Sequence, residues 1–210
     1  MLRVILFAIV GYLSGSVLFA NLSARLFHKD ILTESKDHNP GTANAFMQGG
    51  FFCGIVSLIG DLLKGYIPVY LYFRTGMGPE SGAHAFGGLL GAAIVLAAPV
   101  AGHIFPVFYQ FKGGKGIAVT FGCLLGLYPM IVPVLLFAAV FIFLSVVLRV
   151  SPHYCRTMTA YVATSLLLCI SRMPADVCAG FFLISMVVVL RLCASDEPRE
   201  KCRVNFLWKH

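Results

Sequence analysis

Residues 102–116 read Gly-His-Ile-Phe-Pro-Val-Phe-Tyr-Gln-Phe-Lys-Gly-Gly-Lys-Gly, a basic, glycine-rich stretch between two apolar blocks. Lys112 and Lys115 bring positive charge, and the glycines beside them have no side chains that would shield the backbone N–H groups from a ligand. Such a loop can turn several N–H groups toward one point and bind an anion, while a neighbouring lysine adds the charge that attracts phosphate. The apolar residues after Gly116 suit a helix, whose N-terminus also favours an anion. The stretch therefore predicts a phosphate-binding loop; a plain basic turn at a membrane surface is the alternative.

The composition indicates an integral membrane protein. Hydrophobic residues make up 59% of the 210 residues and charged residues only 12%, whereas a soluble domain averages about 25% charged residues. Little of the chain is left for a soluble domain, so we expect a single transmembrane domain over residues 1–210. The net charge of +7 does not indicate nucleic-acid binding, because basic residues accumulate on the cytoplasmic side of membrane proteins.

The cysteines and histidines show no metal-binding or disulfide pattern. The seven cysteines are odd in number, form no CxxC pair and lie partly within apolar runs, so we interpret them as small apolar residues. The histidines are scattered without metal-ligand spacing. The N-terminal apolar run lacks a clear small-residue cleavage site, which favours a retained first span over a signal peptide.

Several apolar runs are long enough to cross a bilayer as helices, which takes about 20 residues. Residues 117–148 are too many for one helix, and Tyr128-Pro129 and Pro133 mark a break, so we divide this run in two. We predict an all-α polytopic membrane protein with about seven transmembrane helices, or five if the short spans near 117–129 and 158–171 are half-helices or re-entrant segments. The predicted spans are residues 2–20, 49–73, 83–101, two within 117–148, 158–171 and 175–190.

The distribution of Lys and Arg predicts the orientation. With seven spans and the N-terminus outside, twelve of the sixteen basic residues fall on one side and three on the other. The positive-inside rule makes the basic side cytoplasmic. We therefore expect the first loop and the glycine-rich stretch to face the same cytoplasm. The basic segments are residues 21–48, 102–116, 149–157 and 191–210.

Two charged residues, Asp61 and Lys64, lie within the second predicted span. They are three residues apart and so share one face of a helix. Charges inside a membrane are costly and mark functional sites by default. The alternative is a neutralising pair that stabilises helix packing.

The first loop, residues 35–44, combines small polar side chains with a Pro40-Gly41 turn and offers several hydrogen-bond donors. Alone it is an ordinary surface loop. In the predicted arrangement of spans this loop faces the same side of the membrane as the glycine-rich stretch, so both could line one pocket for a phosphorylated substrate. His103 could donate a hydrogen bond or move a proton there, or simply end a helix.

Other chemistries lack their motifs. No HxxxxD acyltransfer motif, GxxxxGK[ST] nucleotide loop or GxSxG nucleophile elbow occurs, so covalent catalysis is not indicated. The polar groups cluster at one face, with only the pair of Asp61 and Lys64 at depth. This arrangement suits a binding site at the membrane surface better than the translocation pathway of a transporter.

These residues resemble a known family. Gly102-His103, Phe105-Pro106 and the run from Lys112 to Gly116 look like the second motif of the acyl-phosphate-dependent glycerol-3-phosphate acyltransferases, the PlsY family of bacterial inner membranes. The pair of Asp61 and Lys64 with its flanking glycines, and the loop asparagines, match in the same order. The resemblance covers about the whole chain.

The resemblance implies transfer of a fatty acyl group from acyl phosphate to the 1-hydroxyl of glycerol 3-phosphate, in the inner membrane with the active site facing the cytoplasm. It implies no metal, cofactor or nucleic acid, contact with membrane lipid, and leaves open a partnership with an upstream acyl-phosphate-producing enzyme. It assigns catalysis to His103, Lys115 and Ser151, with Asp61 in support. The implied phosphate-binding residues are Asn39, Gly41, Asn44, Lys64, Lys112, Gly113, Gly114 and Gly116.

The chain also departs from the family pattern. Asp37 stands where the first motif has Ser, and Met47 where it has Arg. Arg149-Val150-Ser151 only echoes the third motif, and the family's C-terminal run is not recognisable in residues 191–201. Reduced activity, a different acceptor and a non-catalytic role therefore stay open.

Overall fold

The computed structural model describes residues 1–31, 39–75, 88–194 and 201–206, and these residues are almost entirely helical. Their only strand-like feature is a single bridge between Ser151 and Arg203. The all-α prediction is confirmed. In chain order the helices are α1 (Leu2–Gly15), α2 (Phe19–Leu26), α3 (Thr42–Met47), α4 (Phe51–Thr75), α5 (Gly88–Ile104), α6 (Ile117–Leu125), α7 (Val132–Ile142), α8 (His153–Ile170) and α9 (Ala175–Cys193).

Four helical segments within the described residues have the length and composition of a membrane span: Leu2–Leu26, Phe51–Thr75, Gly88–Tyr109 and Ala175–Cys193. The other predicted spans are also helical. Residues 117–142 form α6 and α7 with a break at 126–131, close to the prolines that predicted it, and a π-helical turn follows at Phe143–Val147. α8 covers the predicted 158–171 segment up to Ile170. Two details differ from the prediction: α2 extends into the expected first loop, and His103 lies in the last turn of α5 instead of in a loop.

Glycines let α1 and α5 approach each other closely. A side chain on Gly15 would collide with the carbonyl group of Pro99, and one on Gly102 would collide with the carbonyl group of Tyr12. Gly11 also faces Pro99, with 3.2 Å from an added Cβ to the proline ring. Gly11 and Gly15 are four residues apart and so share one face of α1, where small residues let membrane helices touch backbone to backbone.

Glycines also let α4 and α6 approach each other closely where they cross. An added Cβ on Gly65 would lie 2.6 Å from the carbonyl oxygen of Val119, and one on Gly122 would collide with the carbonyl of Leu62. This contact holds the start of α6 against the middle of α4. The polar residues of α4 and the loop before α6 are therefore brought to the same depth.

Successive helices run in alternating directions. α1, α5 and α9 end together, because Tyr12 Oη donates to the Phe105 carbonyl and Arg191 donates to the Gly113 carbonyl. α7 runs toward the same end, and α4, α6 and α8 run back. Residues 102–116, 149–152 and 191–194 therefore lie at one end, which we call the site end. These are segments that the charge distribution assigned to a single face.

The cysteine interpretation was wrong for one pair. Cys155, near the start of α8, forms a disulfide bond with Cys202 in the C-terminal segment. Cys53 and Cys123 are free and buried, as small apolar residues are expected to be. Spacing could not indicate the bridge, because the two cysteines are 47 residues apart and meet only when the C-terminal segment returns to α8.

Candidate active site

Asp61, Lys64 and His103 form a buried polar cluster between α4 and α5. Their exposed fractions are 1%, 5% and 3%. The predicted pair is present, with 2.7 Å between Lys64 Nζ and Asp61 Oδ1. His103 Nδ1 lies 2.7 Å from the same Nζ. Buried charges are tolerated only when they are paired and hydrogen-bonded, and this cluster meets both conditions.

The Lys64 ammonium group is engaged on three sides inside the protein, by one ion pair and two hydrogen bonds. Besides Asp61 and His103, it donates to the carbonyl oxygen of Val17 at 2.6 Å. An ammonium group has three N–H donors and no acceptor, so His103 Nδ1 must accept and the ring proton lies on Nε2. Direct contact between Lys64 and a substrate phosphate would require one of these bonds to be given up. The structure thus places Lys64 beneath the site.

Asp61 connects this cluster to the first loop. Its second oxygen, Oδ2, accepts a hydrogen bond from Thr42 Oγ1 at 2.9 Å. Thr42 begins α3, directly after Gly41, whose N–H donates to the Asn39 carbonyl at 2.8 Å. Asn44 Nδ2 donates to the same carbonyl at 2.8 Å. The predicted loop residues therefore form one compact turn that is tied to the buried cluster.

The glycine-rich stretch lies directly on His103. Gly114 N–H donates to the His103 carbonyl at 3.1 Å. A side chain on Gly113 would collide with that carbonyl, and one on Gly114 would collide with the imidazole Nε2. The sequence suggested that these glycines free backbone N–H groups for an anion. The structure gives a different reason, which is close packing on His103, and it shows the Gly114 N–H already engaged inside the protein.

The start of α6 offers an anion-binding feature. Gly116 is its N-cap residue with a φ of +78°, a conformation that favours glycine. The first N–H groups of a helix have no partner within it, and they lie at the positive end of the helix dipole. Lys115, just before this start, is half-buried, and Lys112 is exposed. Together they suit a phosphate group.

Not every predicted residue joins this arrangement directly. Ser151 lies at the site end, where its backbone N–H and C=O pair with Arg203 at 3.0 and 2.8 Å. The His103 imidazole is covered by Gly114, so contact with substrate would need the loop to move, and its catalytic role stays a prediction. Met47 is 68% exposed at the end of α3. Asp37 lies outside the described residues.

Two residues contact the site although neither was predicted individually as a site residue. Thr42 holds Asp61, and Arg191 Nη2 donates to the Gly113 carbonyl at 3.3 Å. Arg191 is 78 positions from Gly113 along the chain. No local spacing could indicate such a contact, because it depends on how α9 packs along α5.

Comparison with known proteins places the chain in a family. The family model described as glycerol-3-phosphate acyltransferase matches residues 5–195. The chain belongs to this family. Family membership agrees with the resemblance of residues 102–116 and with the membrane-protein fold.

Curated glycerol-3-phosphate acyltransferases from Cupriavidus taiwanensis and Pseudomonas aeruginosa are each 39% identical to this family member. The matches extend over 127 and 134 residues, which are 60% and 64% of both this chain and the relative. The chain thus spans somewhat under two thirds of the length of these curated relatives.

Crystal structures of PlsY, described as an integral membrane glycerol 3-phosphate acyltransferase, resemble this fold more completely. The glycerol 3-phosphate form has a TM-score of 0.71 at 27% identity, covering 90% of this chain and 87% of PlsY. The lysophosphatidic acid form has a TM-score of 0.67 over the same coverage. The fold of this integral membrane protein is therefore shared along nearly its whole length.

Proposed function

We propose that this chain transfers a fatty acyl group from acyl phosphate to the 1-hydroxyl of glycerol 3-phosphate. One observation carries the proposal: the start of α6, with Lys112 and Lys115, lies at the site end above the buried cluster of Asp61, Lys64 and His103. A phosphate site beside apolar helices suits a substrate that joins a phosphate head to an acyl tail. Family membership and the PlsY structures support acyl transfer to glycerol 3-phosphate, while acyl phosphate as the donor rests on the resemblance of residues 102–116.

The reaction needs little covalent help from the protein. The glycerol hydroxyl oxygen attacks the acyl carbonyl carbon, the bond from that carbon to the phosphate oxygen breaks, and lysophosphatidic acid and phosphate form. The hydroxyl proton passes to a substrate phosphate oxygen, so no side-chain base is required. Acyl phosphate is already activated, and orientation with charge neutralisation supplies the rate.

The residues divide into ligands and supports. We assign phosphate binding to Lys112, Lys115 and the N–H groups at the start of α6. Asn39, Gly41 and Asn44 shape the turn on the other side of the buried cluster. His103, Lys64 and Asp61 act as positioning residues, because they are buried and hold the two loops in place. Gly113 and Gly114 let the loop rest on His103, and Ser151 is a candidate substrate contact from the α8 side.

Purified protein in detergent or lipid tests the reaction and its donor. With acyl phosphate and glycerol 3-phosphate we expect lysophosphatidic acid and phosphate in equal amounts. Lys115→Ala is expected to lower the rate by at least about tenfold, because a charged hydrogen bond to phosphate is worth about 1.5–3 kcal/mol. Product from an acyl thioester but not from acyl phosphate would contradict the assignment of acyl phosphate as the donor. No product from either compound would contradict the proposed acyl transfer.

A different acceptor is the second candidate. It is favoured by the exposed Met47, because α3 then carries no guanidinium where the family resemblance expects one. The same assay, run with glycerol and other phosphorylated polyols, compares kcat/KM among acceptors. A higher value for any of these than for glycerol 3-phosphate would favour this second candidate.

We also propose that the site end faces the cytoplasm of a bacterial inner membrane. The concentration of Lys and Arg in segments at this end supports the orientation. α9 runs toward the site end, so a reporter fused after the C-terminus reports its side. We expect a fluorescent protein that folds only in the cytoplasm to be fluorescent when it is fused after the C-terminus. A fused periplasmic phosphatase should be inactive, and the opposite pattern would reverse the orientation.

A further inference from the structure

Arg191 holds the central peptide of the glycine-rich stretch from the side opposite His103. The N–H of the peptide between Gly113 and Gly114 donates to the His103 carbonyl at 3.1 Å. Its C=O accepts from Arg191 Nη2 at 3.3 Å. The peptide plane is therefore held at both ends, by α5 on one side and by α9 on the other.

Most donors of this guanidinium remain available. Arg191 is half-buried in the last turn of α9, and Gly113 O is its hydrogen-bond acceptor among the described residues. No carboxylate within the described ranges forms an ion pair with it. A guanidinium group has five N–H donors in a planar fork that matches phosphate. Arg191 thus places a cation with open donors at the edge of the loop.

The substrates supply the charge that such a cation would neutralise. Acyl phosphate and glycerol 3-phosphate both carry phosphate groups, and they must lie side by side for acyl transfer. Lys112 and Lys115 are the lysines of the loop, and α3 ends in the uncharged Met47. Gly113 and the N-cap Gly116 are three residues apart, so the Arg191 contact lies within about 11 Å of the start of α6 even if the loop were fully extended.

We propose that Arg191 is a phosphate-binding residue of this site, which it also shapes through Gly113. The ligand class is a phosphate monoester or inorganic phosphate, which is the group shared by donor, acceptor and product. The assignment rests on the proposed function for its biological meaning. Its physical basis is the charge and geometry of the loop.

Inorganic phosphate is the probe that tests this assignment without turnover. Thermal unfolding of the purified protein in detergent is followed as phosphate is added, against chloride at equal ionic strength. Arg191→Gln is expected to weaken phosphate binding by about 10- to 100-fold, as loss of a charged hydrogen bond implies. Arg191→Lys keeps the charge but not the fork, so we expect a smaller loss of about three- to tenfold.

Arg172→Gln is the matched control, because Arg172 is exposed at the opposite end of the bundle, beyond α8. It should bind phosphate like the wild type. If Arg191→Gln lowers the unliganded melting temperature but binds phosphate as tightly as the wild type, the residue is only structural and the proposal is wrong. Absence of any phosphate effect in the wild type would also overturn it.

Acyl transfer measured on the same samples separates the two proposals. If Arg191-dependent phosphate binding occurs without acyl transfer to any acceptor, the proposed function fails and the assignment of Arg191 stands. If the wild type turns over and Arg191→Gln keeps its KM for glycerol 3-phosphate, the assignment fails and the function stands. A raised KM in Arg191→Gln, lowered again in Arg191→Lys, supports both.

Discussion

Replacement of Lys64 with methionine is expected to lower the free energy of unfolding by about 3–5 kcal/mol, the usual cost of removing one partner of a buried ion pair, and to abolish acyl transfer. Asp61, only 1% exposed, would keep its charge without a counter-ion. His103 Nδ1 would lose the donor that orients its ring. Thermal unfolding in detergent measures the first effect, and release of phosphate from acyl phosphate measures the second.

Two further variants distinguish loss of folding from loss of positioning. Asp61→Asn combined with Lys64→Met removes both charges and should recover much of the stability, because the buried charge is gone. It should stay inactive, since His103 is still not held. Lys29→Met, at an exposed lysine, should behave like the wild type. Full activity in the single Lys64→Met variant would show that the buried cluster does not position the loops.

Replacement of Gly114 with alanine is expected to lower acyl transfer on the order of 100-fold, the size of effect that displacing a reacting group by about 1 Å can have. The added Cβ collides with His103 Nε2. The imidazole cannot move aside, because Lys64 holds its other nitrogen and its side chain is 3% exposed. The loop must lift instead, which displaces Lys115 and the start of α6. Initial rates and the KM for glycerol 3-phosphate provide the measurement.

The collision can be relieved and the backbone effect controlled. His103→Ala in the Gly114→Ala background removes the imidazole and should raise the melting temperature above that of Gly114→Ala alone. Gly50→Ala tests a glycine with a φ of +85° and nothing within 4 Å of the added Cβ. It should lose about 1–2 kcal/mol from backbone strain and keep its activity. If Gly114→Ala is as active as Gly50→Ala, the packing of the loop on His103 does not matter for the reaction.

Some parts of the site could be predicted from the sequence. Asp61 and Lys64 are three residues apart, so any helix through them brings their side chains together. The glycine-rich stretch with its lysines predicted a loop followed by a helix, and α6 begins where that stretch ends. The role of the glycines was harder to predict. Glycine equally permits an anion-binding nest and close packing, and only the position of His103 above Lys64 shows which of these Gly113 and Gly114 serve.

The disulfide bond and the contacts of Ser151 could not be predicted from the sequence either. Cys155 and Cys202 carry no spacing signal, and Ser151 pairs with Arg203 through backbone groups that no residue type reveals. Thr42 was visible as one polar residue of a loop. Its hydrogen bond to Asp61 required α3 to pack against α4.

The sequence by itself determined that the chain is a helical membrane protein, where most helices lie, and that one end is rich in Lys and Arg. Hydropathy, helical spacing and charge are properties of single segments in their solvent, so they can be read without knowing the packing. The tertiary structure decided that Lys64 bonds to His103, 39 positions away, and that Arg191 bonds to Gly113. Such contacts follow from how closely helices approach, and the glycines on α1, α4, α5 and α6 set those approaches only when all the helices are assembled.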